Sequence, residues 1–425
     1  MPKPWQDAAV AASVVRTLEG VIADCPFDPA AIEAGCGRVE QLARLLLLRA
    51  FQGEGVFLEP GEHTGVADLR TQLGVVPGYE RLFSVLLDLL AHDGFVDIDG
   101  GRATASRLPD TRPAACDALR DEVLAGHPDR AMLIPLVEAC APEAVAVISG
   151  RRSAVEVLFP GGSSALVENV YAKDPVSRFF NELTAHAVDT IVRPGRGERP
   201  APASVLEIGA GTGGTSAGVL ARLAPMADQV TYHYTDISPA LLQGAQRAFG
   251  AHANVRFKTL DIGLDPVTQG FEAGGADVVI AANVLHATRD IATTLRHVRT
   301  LLRGGGVLVL SEVTRIYHFT TLSFGLTPGW WLFEDGGRLP DSPLLAVDGW
   351  RRALTAAGFS DVRSFTPFTS DPDRPPQTLI LAACPGEEPA PAPRAPESRT
   401  DSLIWQQLRV IEAQLDLLRG KATPS

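Results

Sequence analysis

The segment VLEIGAGTGGTS (205–216) decides the fold of this chain, because an apolar strand pattern runs directly into a glycine-rich turn and the start of a helix. Glycines in such a turn let the backbone bend sharply and approach a bound molecule closely. Taken alone, the turn is compatible with a dinucleotide site or with a tight turn that binds nothing. The residues around the turn are therefore needed to predict what the site binds.

The rest of the chain on the carboxyl side alternates strand and helix patterns. The strand patterns are ASVLEIGAG (203–211), QVTYHYTDIS (229–238), VRFKTLDI (255–262), ADVVIAANVLHA (276–287) and VLVLSEVT (307–314), followed by DVRSFTPF (361–368) and TLILAAC (378–384). Helix patterns occupy 239–250, 292–302 and 349–359, and three glycines (304–306) are predicted to end the second. This alternation predicts an α/β fold whose parallel sheet carries helices on both faces.

Acidic residues mark neighbouring strands of this predicted sheet. Asp236 ends the second strand, where it is placed to accept hydrogen bonds from the ribose hydroxyls of an adenosine. Asp261 and Ile262 end the third strand, where they can pair with an adenine amino group and pack against its ring. Glu207 lies inside the first strand, at a position that is normally apolar in dinucleotide-binding folds. A nicotinamide dinucleotide would leave Glu207 and the Asp261–Ile262 pair without a role, so the pattern points away from it.

These motifs resemble those of the class I S-adenosylmethionine-dependent methyltransferases, whose first strand carries E-x-G-x-G-x-G. The matching residues here are Glu207, Gly209, Gly211 and Gly213, and the resemblance covers about 200–385. It implies a Rossmann-like class I methyltransferase sheet and S-adenosyl-L-methionine as the cofactor. The candidate cofactor-binding residues are Tyr171, Glu207, Gly209, Gly211, Asp236, Ile237, Asp261, Ile262 and Asn283.

A histidine and a glutamate are predicted to meet at the same edge of the sheet. His286 follows the fourth strand in ANVLHATRD (282–290), and Glu312 ends the fifth. Because these strands are neighbours in this fold, the carboxylate can bond one imidazole nitrogen and leave the other free to take a proton. The alternative is an ordinary loop histidine beside a solvated carboxylate. We interpret His286 and Glu312 as a catalytic general-base pair.

The segment between the fifth strand and the last helix narrows the resemblance. It contains GWWLF (329–333), then Arg338 with SPLL (342–345), and a W-x-x-x-L-x-x-x-G-F run (350–359). Across 160–385 the chain is similar to the C-methyltransferase domains of modular polyketide and mixed polyketide–peptide synthases. The resemblance implies that Trp330, Trp331 and Phe333 wall an acyl tunnel, although ordinary core aromatics would give the same pattern.

The resemblance also implies a reaction. The substrate would be a β-ketoacyl thioester on the phosphopantetheine arm of an acyl carrier protein, with an acidic α-carbon between two carbonyls. His286, held by Glu312, would remove the α-proton, and the enolate carbon would take the methyl group. The main alternative is a free-standing O- or N-methyltransferase of secondary metabolism. A DNA-binding regulator that uses the cofactor as a signal is a further alternative.

The chain on the amino side of this core is mostly helical and resembles a winged-helix module, which we interpret as a lid. The predicted elements are a buried helix at 41–51, a short helix at 66–75, a longer helix with a small strand pair at 79–99, a helix at 131–140, a short strand with a glycine turn at 154–162, and a helix at 170–192 that Asp174 caps and Pro175 opens.

Five segments are predicted in all. They are a helical, winged-helix-like lid (1–165), a connecting helix (166–200), the S-adenosylmethionine-binding core (201–386), a Pro-rich linker (387–400) and an amphipathic C-terminal helix (401–425). Apolar residues in the last segment repeat at four-three spacing, from Ile404 to Leu418. This spacing predicts either a contact with a neighbouring synthase domain or a helix that folds back on the main body.

Composition excludes several classes of protein. Of the 425 residues, 38 are Lys or Arg and 50 are Asp or Glu, which gives a net charge of −12 and argues against broad nucleic-acid binding. The five cysteines form no CxxC pair, so we expect a reducing compartment and no bound metal. No apolar run is expected to span a membrane and the amino terminus does not resemble a secretion signal, so we predict a cytoplasmic protein.

Overall fold

The computed structural model describes residues 8–163, 165–193, 201–371 and 373–386. The helices are α1 (Ala8–Ala23), α2 (Pro29–Gly53), α3 (Val66–Gln72), α4 (Glu80–His92), α5 (Pro113–Gly126), α6 (Ile134–Cys140), α7 (Ala144–Ile148), α8 (Ala154–Leu158), α9 (Ala165–Lys173), α10 (Pro175–Val192), α11 (Gly214–Leu223), α12 (Pro239–Phe249), α13 (Ile291–Leu301), α14 (His318–Thr321) and α15 (Val347–Ala356). The strands are β1 (His63–Gly65), β2 (Val96–Asp99), β3 (Arg102–Ala105), β4 (Ala203–Ile208), β5 (Val230–Asp236), β6 (Val255–Thr259), β7 (Ala276–Ala282), β8 (Leu302–Val313), β9 (Ser360–Phe365) and β10 (Gln377–Ala383).

The carboxyl-terminal half is built on a seven-stranded sheet with the order β6-β5-β4-β7-β8-β10-β9. The first five strands in this order are parallel, whereas β10 is antiparallel to both β8 and β9. The predicted parallel sheet is therefore right for the strands that carry the glycine turn and wrong for β10. Parallel neighbours need a crossover connection, and the described residues between β9 and β10 contain no helix that could provide one.

Both faces of this sheet are buried, as the prediction of helices on both faces requires. Successive residues of β4 point to opposite faces: Val205 lies in a core shared with α10 and the amino-terminal helices, while Leu206 lies in a second core. Leu295 of α13 and Trp350 of α15 belong to that second core. Asp174 caps α10 through bonds to the backbone, and Pro175 is its first residue, as predicted.

The amino-terminal half follows the order helix, strand, helix, helix, strand, strand from α2 to β3. Strands β1, β3 and β2 form an antiparallel sheet with β3 in the middle. Helix α2 is buried along most of its length, including Leu42, Leu47 and Leu48, as predicted for this stretch. The strand pair and helices of the predicted module are thus present, and its role as a lid stays a prediction.

Two local predictions are wrong. The residues 154–162 contain the short helix α8 instead of a strand, and its buried residues Ala154, Val157 and Leu158 recur at helical spacing. The three glycines at 304–306 lie inside β8 instead of before it. The pairing of β8 with β7 jumps from Leu302 to Val307, so the glycines form an irregularity in the strand.

Pro128–Ile148 corrects the expectation about apolar runs. It is the one helical stretch in the described parts of the chain that is long and apolar enough to cross a membrane by length and composition, with a mean hydropathy of 1.8. Inside the fold, 61% of this apolar segment is buried, so it forms part of the core.

All five cysteines are free thiols. The predicted linker (387–400) and C-terminal helix (401–425) lie outside the described residues.

Candidate active site

A cavity of about 720 Å³ lies where the carboxyl ends of β4 to β8 face the amino-terminal half. The sheet side of its wall includes Gly209, Ile237 and Asp261, each of which directly follows a strand or its short extension. The opposite side includes Ile32 of α2 and Leu136 of α6. A cavity of this size and mixed lining is typical of a small-molecule site, and both halves of the chain are needed to enclose it.

The glycine turn after β4 is held by a strand-end carboxylate. Gly209 and Gly211 have φ angles of 60° and 59°, which only glycine adopts without strain. A Cβ on Gly209 would collide with the side chain of Val284, so the turn packs tightly against the loop after β7. Asp236 accepts hydrogen bonds from the backbone N–H groups of Gly211 and Ser238, both at 2.8 Å. Gly209 lines the cavity, whereas Asp236 and Gly211 do not, and the predicted contacts of all three with the cofactor stay predictions.

Glu207 does not line the cavity, and its predicted contact with the cofactor stays a prediction. Its side chain is buried beneath the glycine turn, where it accepts hydrogen bonds from Ser216 and, at 2.5 Å, from the Tyr232 hydroxyl. Burial raises the pKa of the Glu207 carboxyl to about 7. In this structure Glu207 joins β4, β5 and α11 below the turn, so it shapes the site indirectly.

The residues after β5 and β6 form an apolar slot with one carboxylate. Ile237 lines the cavity and is 43% exposed, so its side chain is accessible to a ligand. Asp261 and Ile262 lie in the same wall, and the Asp261 carboxylate accepts a hydrogen bond from the Gly263 N–H at 2.9 Å. Burial raises the pKa of the Asp261 carboxyl. This is the arrangement that a flat heterocycle with an exocyclic amino group requires.

Asn283 and the following turn bring His286 over the sheet edge. Asn283 has a φ of 52°, a left-handed conformation that asparagine tolerates better than most residues. Its side-chain oxygen accepts from the Val313 N–H at 2.9 Å, which ties the loop to the end of β8. Asn283 and His286 both line the cavity, as the sequence motif predicts for a site residue.

His286 and Glu312 meet as the neighbouring strands predict. His286 Nδ1 lies 2.6 Å from Glu312 Oε2, and the Glu312 side chain is fully buried. The second oxygen of Glu312 accepts from the N–H groups of Val284 at 3.2 Å and Leu285 at 3.0 Å. The carboxylate is therefore fixed on both oxygens, and it leaves Nε2 as the imidazole nitrogen available to the cavity.

Arg338 fixes the backbone of the loop that carries His286. It was not predicted as a site residue. Its guanidinium donates to the carbonyl oxygens of His286 and Pro343 at 2.6 Å and of Thr288 at 2.8 Å, and it pairs with Asp335. Only 2% of this side chain is exposed. The residue lies in the R-x-x-x-SPLL run, so the motif resemblance was the only signal that could have found it.

Of the three aromatic residues predicted to wall an acyl tunnel, one lines the cavity, and the tunnel itself stays a prediction. Trp330 lines the cavity, with its ring centre 6.5 Å from that of His286. Trp331 and Phe333 do not line the cavity, and their predicted place in the tunnel wall stays a prediction. The Arg81 guanidinium lies 5.4 Å from the centre of the Trp331 ring and 4.2 Å from that of the Phe333 ring. These two rings therefore join the amino-terminal half to the rest of the molecule.

Two residues of the amino-terminal half, Tyr171 and Arg130, also bear on ligand binding. Tyr171 belongs to α9, and its side chain lies outside what the structure describes, so its predicted contact with the cofactor stays a prediction. Arg130 lines the cavity although its side chain is only 4% exposed, and no sequence pattern drew attention to it.

S-adenosylmethionine fits these residues. Gly209 lines the cavity without a side chain, so a ligand can approach the backbone of the turn closely there. The exposed Ile237 and the buried Ile262 offer apolar surfaces to a ring, and the Asp261 carboxylate offers an acceptor to an amino group. The fold and the cavity together define the class of S-adenosylmethionine-dependent methyltransferases.

Comparison with known proteins narrows this class. A methyltransferase domain model matches residues 206–308. The chain is 41% identical over 333 residues to the polyketide synthase ThaQ of Burkholderia thailandensis, covering 76% of this chain and 16% of ThaQ. The crystal structure of the DszA carbon methyltransferase is 34% identical, with a TM-score of 0.79 over 88% of this chain and 94% of that one. The trans-methyltransferase CalH in complex with SAH is 29% identical, with a TM-score of 0.58 over 82% of this chain and 91% of that one.

The chain belongs to the carbon methyltransferase domains of polyketide synthases. The match to DszA extends over nearly the whole of both chains, including the amino-terminal half, so the family is shared beyond the cofactor-binding core. The chain spans only 5–16% of the length of four curated polyketide synthases that it matches. The cofactor is S-adenosylmethionine.

Proposed function

We propose that this protein methylates the α-carbon of a β-ketoacyl thioester carried by an acyl carrier protein, with His286 as the general base. The observation that carries the proposal is the His286–Glu312 pair at 2.6 Å in the wall of a cavity that also fits the cofactor. The α-carbon must lose a proton to become a nucleophile, so this transfer needs a general base. A base would serve a transfer to oxygen as well, so the choice of carbon rests on the family and on the lining described below.

Glu312 prepares His286 for this role in two ways. Hydrogen bonds to both Glu312 oxygens hold the buried carboxylate in one orientation. The neutral imidazole then donates its Nδ1 proton to Glu312 and presents the Nε2 lone pair to the cavity. When Nε2 takes the α-proton, the nearby carboxylate stabilises the imidazolium that forms.

The proton and electron balance of the step is simple. The α C–H bond of the thioester breaks, its proton goes to His286 Nε2, and its electron pair spreads over the two flanking carbonyls. When bound, S-adenosylmethionine supplies a methyl group that the enolate carbon takes, while the sulfur keeps the electron pair of the broken carbon–sulfur bond. The chain's own contribution is to align the two reactants and to exclude water from between them.

The lining near His286 supports an acyl substrate. Beside Trp330 the wall includes Phe319, Phe324 and Leu344, which are apolar and largely buried. Such a surface suits the alkyl part of an acyl chain better than the ring hydroxyls or amines of a free metabolite.

The proposal is tested by mass spectrometry of a β-ketoacyl carrier protein incubated with the protein and S-adenosylmethionine. We expect a gain of one CH₂ for each transfer, and no gain for a matched substrate whose α-carbon already bears two methyl groups. Turnover of free phenols or amines in place of the thioester would favour an O- or N-methyltransferase instead.

We also propose that the protein works in the cytoplasm beside other synthase domains. Free thiols at all five cysteines suit a reducing compartment, and the relatives are multidomain polyketide synthases. A contact of the segment 401–425 with a neighbouring domain remains part of this proposal.

A further inference from the structure

Arg130 is a buried cation in the cavity wall with hydrogen-bond donors to spare. It lies in the short helix Pro128–Leu133, opposite the sheet, and its side chain is 4% exposed. Nη2 lies 2.9 Å from Asp174 Oδ1, but the pair lacks hydrogen-bond geometry. Neither Nε nor Nη2 has a hydrogen-bond partner among the described residues.

Packing against α2 fixes the stem of the Arg130 side chain. Its stem crosses α2 at Gly35, where a Cβ would come within 2.7 Å of Arg130 Cγ, so a larger residue would push the stem aside. Asp174 is already engaged as the cap of α10, accepting from the N–H groups of Val176 at 3.3 Å and Ser177 at 3.0 Å. Asp174 therefore balances the charge of Arg130 without using its N–H donors.

A buried N–H group without a hydrogen-bond partner costs free energy. An arginine keeps its charge in proteins, so it cannot avoid this cost by losing a proton. The planar guanidinium is best satisfied by an anionic oxygen that accepts two parallel hydrogen bonds. Because Arg130 lines the ligand cavity, that oxygen can come with the ligand.

We propose that Arg130 is an anion-binding residue of this cavity, which binds an anionic oxygen of one of the two reactants. The oxygen belongs either to the carboxylate of the methionine part of the cofactor or to the enolate of the acyl thioester. The second source rests on the function proposed above, whereas the first depends only on the cofactor.

Arg44 provides a matched control within the same half of the chain. Its side chain is also 4% exposed and paired with an aspartate, at 2.7 Å from Asp93 Oδ2. In contrast to Arg130, it has a second partner in His318 Nδ1 at 2.6 Å and does not line the cavity. Removing Arg44 therefore tests what the loss of a buried arginine does by itself.

The experiment measures ligand affinity and proton exchange in Arg130→Gln, Arg130→Lys and Arg44→Gln. Calorimetry with S-adenosylhomocysteine, which has the carboxylate, is compared with 5′-methylthioadenosine, which lacks it. If the cofactor supplies the oxygen, Arg130→Gln weakens only the first ligand, by about 10–100-fold. If the substrate supplies it, both affinities stay at the wild-type value and α-deuterium exchange of a β-ketoacyl thioester falls by a similar factor.

Arg130→Lys keeps the charge beside Asp174 but not the planar pair of donors, so a smaller loss of the same kind is expected even if Arg130→Gln does not fold. Wild-type affinity for S-adenosylhomocysteine together with wild-type exchange in the folded Arg130 variant would overturn the proposal. A wild-type protein that neither exchanges the α-deuterium nor methylates the thioester would instead refute the proposed function, and the affinity comparison would still decide the role of Arg130.

Discussion

The imidazole of His286 illustrates how much of a site's chemistry is set by one carboxylate. Glu312 uses one oxygen to hold the backbone of Val284 and Leu285 and the other to hold His286 Nδ1. Glu312 therefore sets both the position of the loop and the tautomer of the histidine, and a substitution can change one while it keeps the other.

His286→Ala and Glu312→Gln should both abolish most methyl transfer. In Glu312→Gln the amide oxygen stays with the two backbone N–H groups, so the NH₂ group faces Nδ1 and forces the imidazole proton onto Nε2, where it blocks the base. The expected loss of rate is about 10²–10⁴ for each variant, with affinity for S-adenosylhomocysteine unchanged. The measurement is transfer to a β-ketoacyl thioester, together with α-deuterium exchange. Full exchange in His286→Ala would show that another group is the base.

Glu207→Gln should change how stability depends on pH. Burial raises the pKa of the Glu207 carboxyl to about 7, so between the ordinary carboxyl pKa and about 7 the folded protein binds more protons than the unfolded chain. The wild type therefore loses stability as pH rises through this window, by about 3 kcal/mol at most at about 1.4 kcal/mol for each pKa unit. Glutamine can still accept from Ser216 and Tyr232 and does not titrate.

Thermal unfolding of both proteins from pH 5 to pH 8 measures this effect. The melting temperature of Glu207→Gln minus that of the wild type should rise across the series. Other groups cancel in this difference, including His318, whose pKa burial lowers to about 4. A difference that stays constant with pH would show that Glu207 is ionised in the fold without penalty.

The sequence predicted those residues of the site whose positions follow from the order of the strands. His286 follows β7 and Glu312 lies near the end of the adjacent strand β8, so their contact was predictable from the fold class alone. Trp331 and Phe333 lie in a long connection whose path no periodicity fixes, and their packing on Arg81 was not predictable. Arg130 was not predicted either, because it comes from the amino-terminal half of the chain, far in sequence from the strand motifs.

At the scale of single elements, the turn after β4 offers a direct test of close packing. Gly209 and Gly211 have nearly the same positive φ, so an added methyl group strains both backbones about equally, by roughly 1–2 kcal/mol. Only at Gly209 would the methyl group also collide with a neighbour, the side chain of Val284, while at Gly211 the nearest atom is 3.9 Å away.

Gly209→Ala should therefore destabilise the protein by about 1–3 kcal/mol more than Gly211→Ala does. Urea unfolding without cofactor measures this, because a bound ligand would add its own effect. Equal losses of unfolding free energy in the two variants would mean that the loop after β7 moves aside readily.

The elements that the sequence predicted well are those with a clear period and a cap. Helix α10 has both, since Asp174 and Pro175 mark its start and its apolar residues recur on one face. Helix α8 has only five residues, too few for a helical period to differ from a buried strand. The reversal of β10 depends on the connection from β9, which local propensity does not encode.

At the scale of the whole molecule, one hydrophobic core joins the two halves. Val14 of α1 and Leu47 of α2 belong to the same cluster of buried residues as Val205 and Val278 of the large sheet. Polar contacts cross the same boundary, including Arg315 with Glu33 at 2.7 Å and the Tyr79 hydroxyl with the Leu326 carbonyl at 3.0 Å. The predicted division at residue 165 therefore marks a change in the sequence pattern, and the hydrophobic core extends across it.

A shared core predicts that the described halves unfold together. Separating them would expose apolar surface on both sides and open the cavity, so neither half should retain its structure once the other is lost. Differential scanning calorimetry should show one transition whose calorimetric and van't Hoff enthalpies agree. S-adenosylhomocysteine should move the whole transition upward, because ligand at 100 times its Kd adds about 2.7 kcal/mol to the stability of the protein that encloses it. Two transitions, of which only the later one responds to the ligand, would show instead that the amino-terminal half unfolds without opening the cofactor site.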